Sequence, residues 1–173
     1  LKKLNATLMR TTGSVYHVMG GSFDSSKGDL RLVNVTAGQG GKSYMNYLKV
    51  PQKLKDFCKE MNERREQLLK NPDIYEQYQL SFDAHLKLVT IHPWVDGNGR
   101  MSRLMMNHLQ TEFGLVPCKV LVEDKAEYIE ALVKSREEDS CLPFQNFMFK
   151  EHAKNLQQEI DNYKLSMGEE EEK

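Results

Sequence analysis

His92-Pro93-Trp94-Val95-Asp96-Gly97-Asn98-Gly99-Arg100-Met101-Ser102-Arg103 is the stretch from which the fold and the chemistry are both read. Pro93 ends the helical pattern before it and biases His92 toward extended backbone, so that the imidazole projects into a loop. Asp96 to Gly99 is a strong turn signal, because Gly and Asn accept positive φ at little steric cost. After the turn, apolar residues at 101, 104, 105 and 109 among good helix formers predict a helix beginning near Gly99 or Arg100.

A glycine turn that feeds a helix N-terminus leaves backbone N–H groups beside the positive end of the helix dipole, which suits an anion. Arg100 and Arg103 would oppose that dipole unless an anionic partner compensated them. Spaced i and i+3 they share a helix face, roughly 5–6 Å apart at Cβ. Two forked guanidiniums suit a di- or triphosphate better than a single phosphate. Asp96 would repel such a ligand without a divalent cation between them, and Mg²⁺ is usually held by one or two carboxylates plus substrate phosphates. His92, with an unperturbed pKa of ~6.5, can accept a proton at neutral pH. Together the residues suggest phosphoryl or nucleotidyl transfer to a hydroxyl. On spacing alone a plain surface turn and a structural histidine fit the same residues.

The same stretch resembles the signature of the Fic domain family, His-Pro-Phe-x-Asp/Glu-Gly-Asn-Gly-Arg-x-x-Arg, with Trp94 where Phe is usual. Upstream Ala84-His85 and Val89-Thr90-Ile91, downstream Asn107 and Leu109, Tyr128 to Leu132 and Pro143 to Phe147 extend the likeness. Gly28 to Arg31 is similar to the Gly-x-x-Arg that opens the family's flap. The resemblance implies an all-α Fic-type helical domain with a small β-hairpin flap, spanning residues 1–165, with the flap at about 29–50 and the motif loop at 92–99. It implies transfer of AMP from ATP to a Ser, Thr or Tyr hydroxyl of a target protein, with release of pyrophosphate. By position, His92 would deprotonate the acceptor and Asp96 would hold Mg²⁺. Gly97, Asn98 and Gly99 would form the anion hole, Arg100 would grip the phosphates, and Arg103 would reach the outer end of the triphosphate. His92, Asp96 and Arg100 are thus the catalytic set. Gly99 argues against the inverted nucleotide pose of Doc-type toxins, which carry Lys there. Transfer of a different nucleotidyl or phospho-group, and a non-catalytic nucleotide-responsive interaction module, stay open as alternatives. Trp94 is expected to fill the place of the Phe with a larger ring whose N–H needs a partner.

The 173 residues carry a formal net charge of −1, which offers no general attraction to nucleic acid or membrane. Cys58, Cys118 and Cys141 are widely spaced and odd in number, and read as reduced thiols of a cytoplasmic protein rather than a zinc site. No apolar run approaches a membrane span. Leu1 in place of Met reads as the start of a trimmed or processed chain.

Leu1, Leu4, Leu8, Val15 and Met19 predict a first helix broken near Thr12-Gly13-Ser14 or Gly20-Gly21. Residues 29–36 and 44–50 alternate around glycines and read as the flap hairpin, onto which the resemblance would dock the protein substrate by strand addition. Leu54 to Leu69 predict an amphipathic helix ending at Asn71-Pro72, with Glu63, Arg64, Arg65, Glu66 and Lys70 as its solvated face. Further helices are expected over 73–91, 100–113, about 124–138 and 143–165, followed by an acidic, disordered tail at 166–173. His85, seven residues before His92, reads as a core histidine rather than half of a metal pair. Relatives restrained by a Ser/Thr-x-x-x-Glu helix make Ser166 to Glu170 one candidate inhibitory segment, with an upstream helix or a separate antitoxin chain as the others.

Overall fold

The structure, a computed structural model, describes residues 1–36, 41 and 43–171, and for 168–171 the backbone alone. Among them are six α-helices and a two-stranded antiparallel hairpin. The chain forms two compact units, Leu1–Leu115 and Val116–Lys173.

The first unit opens with α1 (Lys2–Met9), shorter than the expected first helix. Val15–Val18 (β1) and Gly21–Asp24 (β2) leave the helical pattern and pair as a tight hairpin, with Val18 opposite Gly21. The apolar spacing that suggested a helix here also fits strands, and Val-Tyr-His-Val favours the latter through its β-branched and aromatic side chains. Tyr16 and Phe23, directly opposed, stack with ring centroids 5.0 Å apart.

The stretch expected to form the flap holds less regular pairing. Thr36 and Ser43 make one antiparallel bridge, and the Tyr44 N–H donates to the Val35 carbonyl at 2.9 Å. Residues 37–40 and 42 lie outside the described residues. Tyr44 to Val50 is not a strand: the Asn46 side chain accepts the Leu48 N–H and caps a 3₁₀ turn over Tyr47–Lys49. That turn runs into α2 (Val50–Lys70), with Pro51 in the first turn, where its missing N–H costs nothing. Pro51 therefore starts a helix instead of ending a strand.

α3 (Ile74–Ile91) begins after Pro72, capped by Asp73, whose carboxylate accepts the Glu76 N–H at 2.8 Å. α4 (Asn98–Glu112) follows the motif loop. Phe57, Met61 and Leu68 of α2, Leu80, Ala84 and Leu88 of α3, and Met101 and Leu109 of α4 close one core around Trp94. Arg64 and Arg65, expected on a solvated face, instead reach across it. Arg64 pairs with Asp83 of α3 at 2.7 Å, and Arg65 forks onto Glu112 of α4. Both pairs run between helices, which a single-helix pattern cannot reveal.

In the second unit, α5 (Lys125–Glu137) packs on α6 (Leu142–Glu171) through Tyr128 and Phe144, whose rings meet edge to face at 6.0 Å. Asn155 Nδ2 donates to the Lys119 carbonyl at 3.1 Å, and Lys154 pairs with Asp124 at 2.7 Å, so α6 also holds the segment leading into α5. α6 continues through residue 171, beyond the boundary expected at 165. The acidic tail reading for 172–173 lies outside the described residues. No described helix is long and apolar enough to cross a membrane.

Gly28 ties α1 to the rest of the first unit. Its φ is +70°, and a Cβ there would stand 2.3 Å from the Lys2 carbonyl oxygen. Gly28→Ala should therefore lower stability by at least ~1–3 kcal/mol, from left-handed strain and the clash together. The check is the urea midpoint by circular dichroism, and an unchanged midpoint would contradict the close packing of α1 on this turn.

Candidate active site

The motif loop joins the C-terminus of α3 to the N-terminus of α4. His92 is not extended, as its place before proline suggested. It caps α3 in the left-handed region at φ 51° and ψ 60°, and its N–H donates to the Leu88 carbonyl at 3.1 Å. Closing the helix and reversing the chain at one residue overrides the pre-proline preference, and positive φ at a residue with a Cβ is a strained state that needs outside support.

Arg31 supplies that support. Its side chain is 1% exposed. Nε donates to the His92 carbonyl at 2.7 Å, Nη1 to the Val33 carbonyl at 2.7 Å, and Nη2 to the Met45 carbonyl. Its backbone N–H donates to the Pro93 carbonyl at 3.1 Å. Burial draws the guanidinium pKa down from its ordinary value, yet arginine stays charged, and charge-assisted bonds to carbonyl oxygens compensate its desolvation. One side chain thus fixes the backbone of the His92 turn and both stems of the flap.

The His92 ring is oriented from two sides. Nδ1 lies 3.2 Å from the Val89 carbonyl oxygen. A carbonyl oxygen only accepts, so Nδ1 carries the proton, and in the neutral ring the lone pair is on Nε2. Tyr44 covers the ring face, with centroids 3.7 Å apart and planes 20° from parallel.

Trp94 is wholly buried, and its indole N–H donates to the Gly28 carbonyl at 3.1 Å. Asn98, 3% exposed, accepts the Trp94 N–H at 3.0 Å and donates to the Trp94 carbonyl at 2.8 Å. Its side chain therefore staples the loop. Gly97 is the N-cap of α4 at φ 82° with no side-chain cap. A Cβ on it would lie 3.0 Å from Met9 Sδ and 3.1 Å from Asn5 Nδ2, so α1 presses directly on the turn. Asn5 is wholly buried there with neither carboxamide atom hydrogen-bonded among the described residues, a cost of roughly 1–3 kcal/mol that the packing of α1 must offset. Gly99 takes no positive φ, and a Cβ there would make an ordinary contact, 3.5 Å, with Arg103 Nη1.

Asp96 and Arg100 stand at the rim. Asp96 Oδ1 accepts the Gly97 N–H at 2.6 Å, and Oδ2 pairs with Arg100 at 3.1 Å. The two side chains are 64% and 43% exposed, so the pair is worth ~0–1 kcal/mol and is readily exchanged for a better partner. Arg103 is exposed one turn further along α4. No group of three metal-ligating side chains occurs among the described residues. Asp96 is nonetheless an accessible carboxylate beside a helix N-terminus, and a cation that takes most of its ligands from phosphate and water fits such a position.

Sequence reasoning missed the part that three residues play here: Arg31, whose Gly-x-x-Arg setting was seen without its role, Tyr44, read only as part of a flap strand, and Asn5, within the first helix.

The sequence model of the Fic/DOC family matches residues 1–110. The chain belongs to the Fic/DOC family. It is 36% identical over 118 residues to protein adenylyltransferase Fic of Nematostella vectensis, covering 68% of this chain and 26% of that protein. The structure of Fic-1 from Caenorhabditis elegans superposes with a TM-score of 0.63 at 29% identity, over 81% of this chain and 38% of that one. The BepC protein of Bartonella tribocorum, solved with bound AMPPNP, shares the fold at a TM-score of 0.57 and 17% identity, over 86% of this chain and 80% of that one. The chain spans about a quarter of the length of the Nematostella relative.

Within this Fic fold, His85 is a core residue of α3, 1% exposed. Burial, and secondarily the charge of Arg103, pull its pKa down to about 3. The unfolded chain, with a histidine pKa of ~6.5, binds a proton that the folded one refuses throughout the window between these values. Stability should therefore rise with pH from about 3 to ~6.5 and level off above, with this group adding at most ~1.4 kcal/mol per pH unit. His85→Gln should flatten the denaturant-derived slope across that window, and equal slopes in both proteins would contradict the burial argument.

Proposed function

We propose that this chain is the catalytic domain of a protein adenylyltransferase that moves AMP from Mg²⁺-ATP to a Ser, Thr or Tyr hydroxyl of a target protein. The observation that carries the reading is the orientation of His92, with Nδ1–H held by the Val89 carbonyl and the lone pair on Nε2 at the neck of the motif turn. The relatives named protein adenylyltransferase and the AMPPNP carried by BepC support the same reading.

The acceptor oxygen forms a bond to the α-phosphorus of ATP while the bond from that phosphorus to the α–β bridging oxygen breaks. The acceptor proton goes to His92 Nε2, and pyrophosphate leaves. The backbone N–H groups of Asn98, Gly99 and Arg100, which have no intrahelical acceptor at this end of α4, meet phosphate oxygen. Arg100 gives up its weak surface pair with Asp96 and forks onto the phosphates, and Arg103 receives the outer phosphate. Asp96 is the residue that would hold Mg²⁺, which when bound neutralises charge on the α- and β-phosphates. Little covalent work falls to the protein, and positioning with charge stabilisation carries the rate. The antiparallel bridge between Thr36 and Ser43 marks the stem against which an extended target segment would add as a strand. Restraint by Glu170 stays a proposal about a side chain outside the described residues, with an upstream helix or a separate antitoxin chain as the other sources. None of the three cysteines is joined in a disulfide.

Removing the base by His92→Ala should abolish labelling of target protein from ATP labelled at the α-phosphate, a loss of at least ~10²-fold, while ATP affinity stays within about twofold. Unchanged labelling refutes the assignment of the base. Parallel labels on the other nucleoside triphosphates and on CDP-choline decide whether adenylyl is the group transferred. Asp96→Ala should lose the dependence of nucleotide affinity on Mg²⁺ in calorimetric titrations. A variant whose affinity still responds to Mg²⁺ as the parent does would remove Asp96 as the metal ligand.

A further inference from the structure

Asn5 of α1 is wholly buried, and neither its carboxamide oxygen nor its carboxamide nitrogen has a hydrogen-bond partner among the described residues. It faces the motif turn together with two apolar neighbours. Met9 Sδ, Asn5 Nδ2 and Leu8 Cδ2 lie 3.0, 3.1 and 3.4 Å from where a Gly97 Cβ would stand. An aliphatic side chain would suit such a contact better, and asparagine is also a poorer helix former than leucine. A buried amide without a partner lowers the stability of the state in which it is seen, which points to another state in which it is bonded.

The residue it faces changes partner in the proposed reaction. Gly97 is buried, and it opens α4 with no side-chain cap. Its N–H donates to Asp96 Oδ1 at 2.6 Å, while Asp96 Oδ2 pairs with Arg100 at 3.1 Å. In the proposed nucleotide complex Arg100 turns to the phosphates and the Asp96 carboxylate to Mg²⁺. The bond to Gly97 folds the Asp96 side chain back on to the peptide that follows it, and a carboxylate reaching outward to a cation among phosphates has to open that fold.

The Gly97 N–H is then left without its acceptor, buried at an uncapped helix N-terminus, where an unpaired donor is costly. Among the three side chains packed on Gly97, Leu8 has no acceptor, and Met9 offers only a thioether that already lies 3.5 Å from Arg100 Nη2. Asn5 has a carbonyl oxygen with no donor on it. A half-turn of the carboxamide about its last bond places Oδ1 where Nδ2 now lies.

We infer that Asn5 is a positioning residue for the metal-bound nucleotide: when Asp96 leaves the turn, the Asn5 carboxamide takes over the Gly97 N–H and keeps the start of α4, with its anion-binding N–H groups, in place. The inference rests on Asp96 being the metal ligand of the proposed reaction. It makes α1 part of the nucleotide site without contact to the nucleotide.

The test uses Asn5→Leu, which keeps the number of side-chain heavy atoms and removes the polar ones, and Asn5→Ala, which removes the carboxamide without adding bulk. The first quantity is the urea midpoint of the nucleotide-free protein. At least one variant should match or exceed the parent, since no hydrogen bond is lost in that state. A lower midpoint in both would mean that the carboxamide is already bonded there, and would overturn the inference. The second quantity is the calorimetric affinity for an ATP analogue that resists cleavage at the α–β bridge, measured with Mg²⁺ and with EDTA. Both variants should bind ~10-fold more weakly than the parent with Mg²⁺ and within about twofold of it in EDTA. A purely structural role would weaken both affinities alike, and that result, or an unchanged affinity with Mg²⁺, overturns the inference. A parent whose own affinity ignores Mg²⁺ overturns it together with the Asp96 assignment. If the parent responds to Mg²⁺ and yet transfers no AMP, the adenylyltransfer reading fails alone, and the two affinities still decide the part of Asn5.

Discussion

A buried positive charge with no carboxylate paired to it among the described residues is the constraint on which the functional end of this molecule depends. Arg31 is buried, and among the described residues its side-chain partners are the carbonyl oxygens of His92, Val33 and Met45. Each charge-assisted bond of this kind contributes roughly 1.5–3 kcal/mol, and loss of any partner would leave a donor stranded at comparable cost. The demand is mutual. The carbonyls must stay where the guanidinium can reach them, so the end of α3 and the two flap stems cannot move independently. Lysine, a point charge on a flexible stem, cannot serve three carbonyls in the plane of a fork.

From that clamp the rest of the loop follows in order. His92 is held in a left-handed conformation that reverses the chain, Trp94 drops into the core, and Asn98 closes the turn by bonding both polar groups of the Trp94 backbone. Gly97 then opens α4 with no side-chain cap, pressed from behind by Met9 and Asn5 of α1. Asn98, which by its type belongs among the anion-binding groups, spends its carboxamide on architecture. Trp94 in place of the family's Phe is accommodated by repacking: its additional N–H reaches the Gly28 carbonyl, a group that a phenyl ring would leave without that bond.

The helices around the site were legible in the sequence because each has its own punctuation. Asn71-Pro72 ends α2, Asp73 caps α3, and glycine opens α4 within two residues of the expected start. The opening helix and its break by Thr12-Gly13-Ser14 were legible, but the hairpin of β1 and β2 was missed, because Val15 and Met19 continue the helical spacing of Leu4 and Leu8 across that break. Periodicity reports which residues share a face, and short runs satisfy both periods. The second half of the flap was misread for a related reason: Asn46 and Pro51 are as much helix-start signals as strand boundaries, and packing of Val50 into the core decides between them.

The candidate site divides along the same line. Residues contiguous in the motif were visible together, whereas those that orient them lie far off in sequence. Arg31 is sixty-one residues from the carbonyl it holds, and nothing in the spacing around Tyr44 pairs it with His92. Such contacts are fixed by the fold and leave no local pattern. They are also what gives this loop its particular shape, since a glycine turn binds anions in many settings and here Arg31 holds the turn from a distant part of the chain.

The measurement that bears most directly on this account is a crystal structure of the chain with Mg²⁺ and a non-hydrolysable ATP analogue. The account predicts the α-phosphate against the backbone N–H groups that open α4, Arg100 turned from Asp96 to phosphate oxygen, and His92 Nε2 facing the α-phosphorus opposite the pyrophosphate bond. A nucleotide bound with its γ-phosphate at that position, or with His92 turned away from the phosphates, would contradict it.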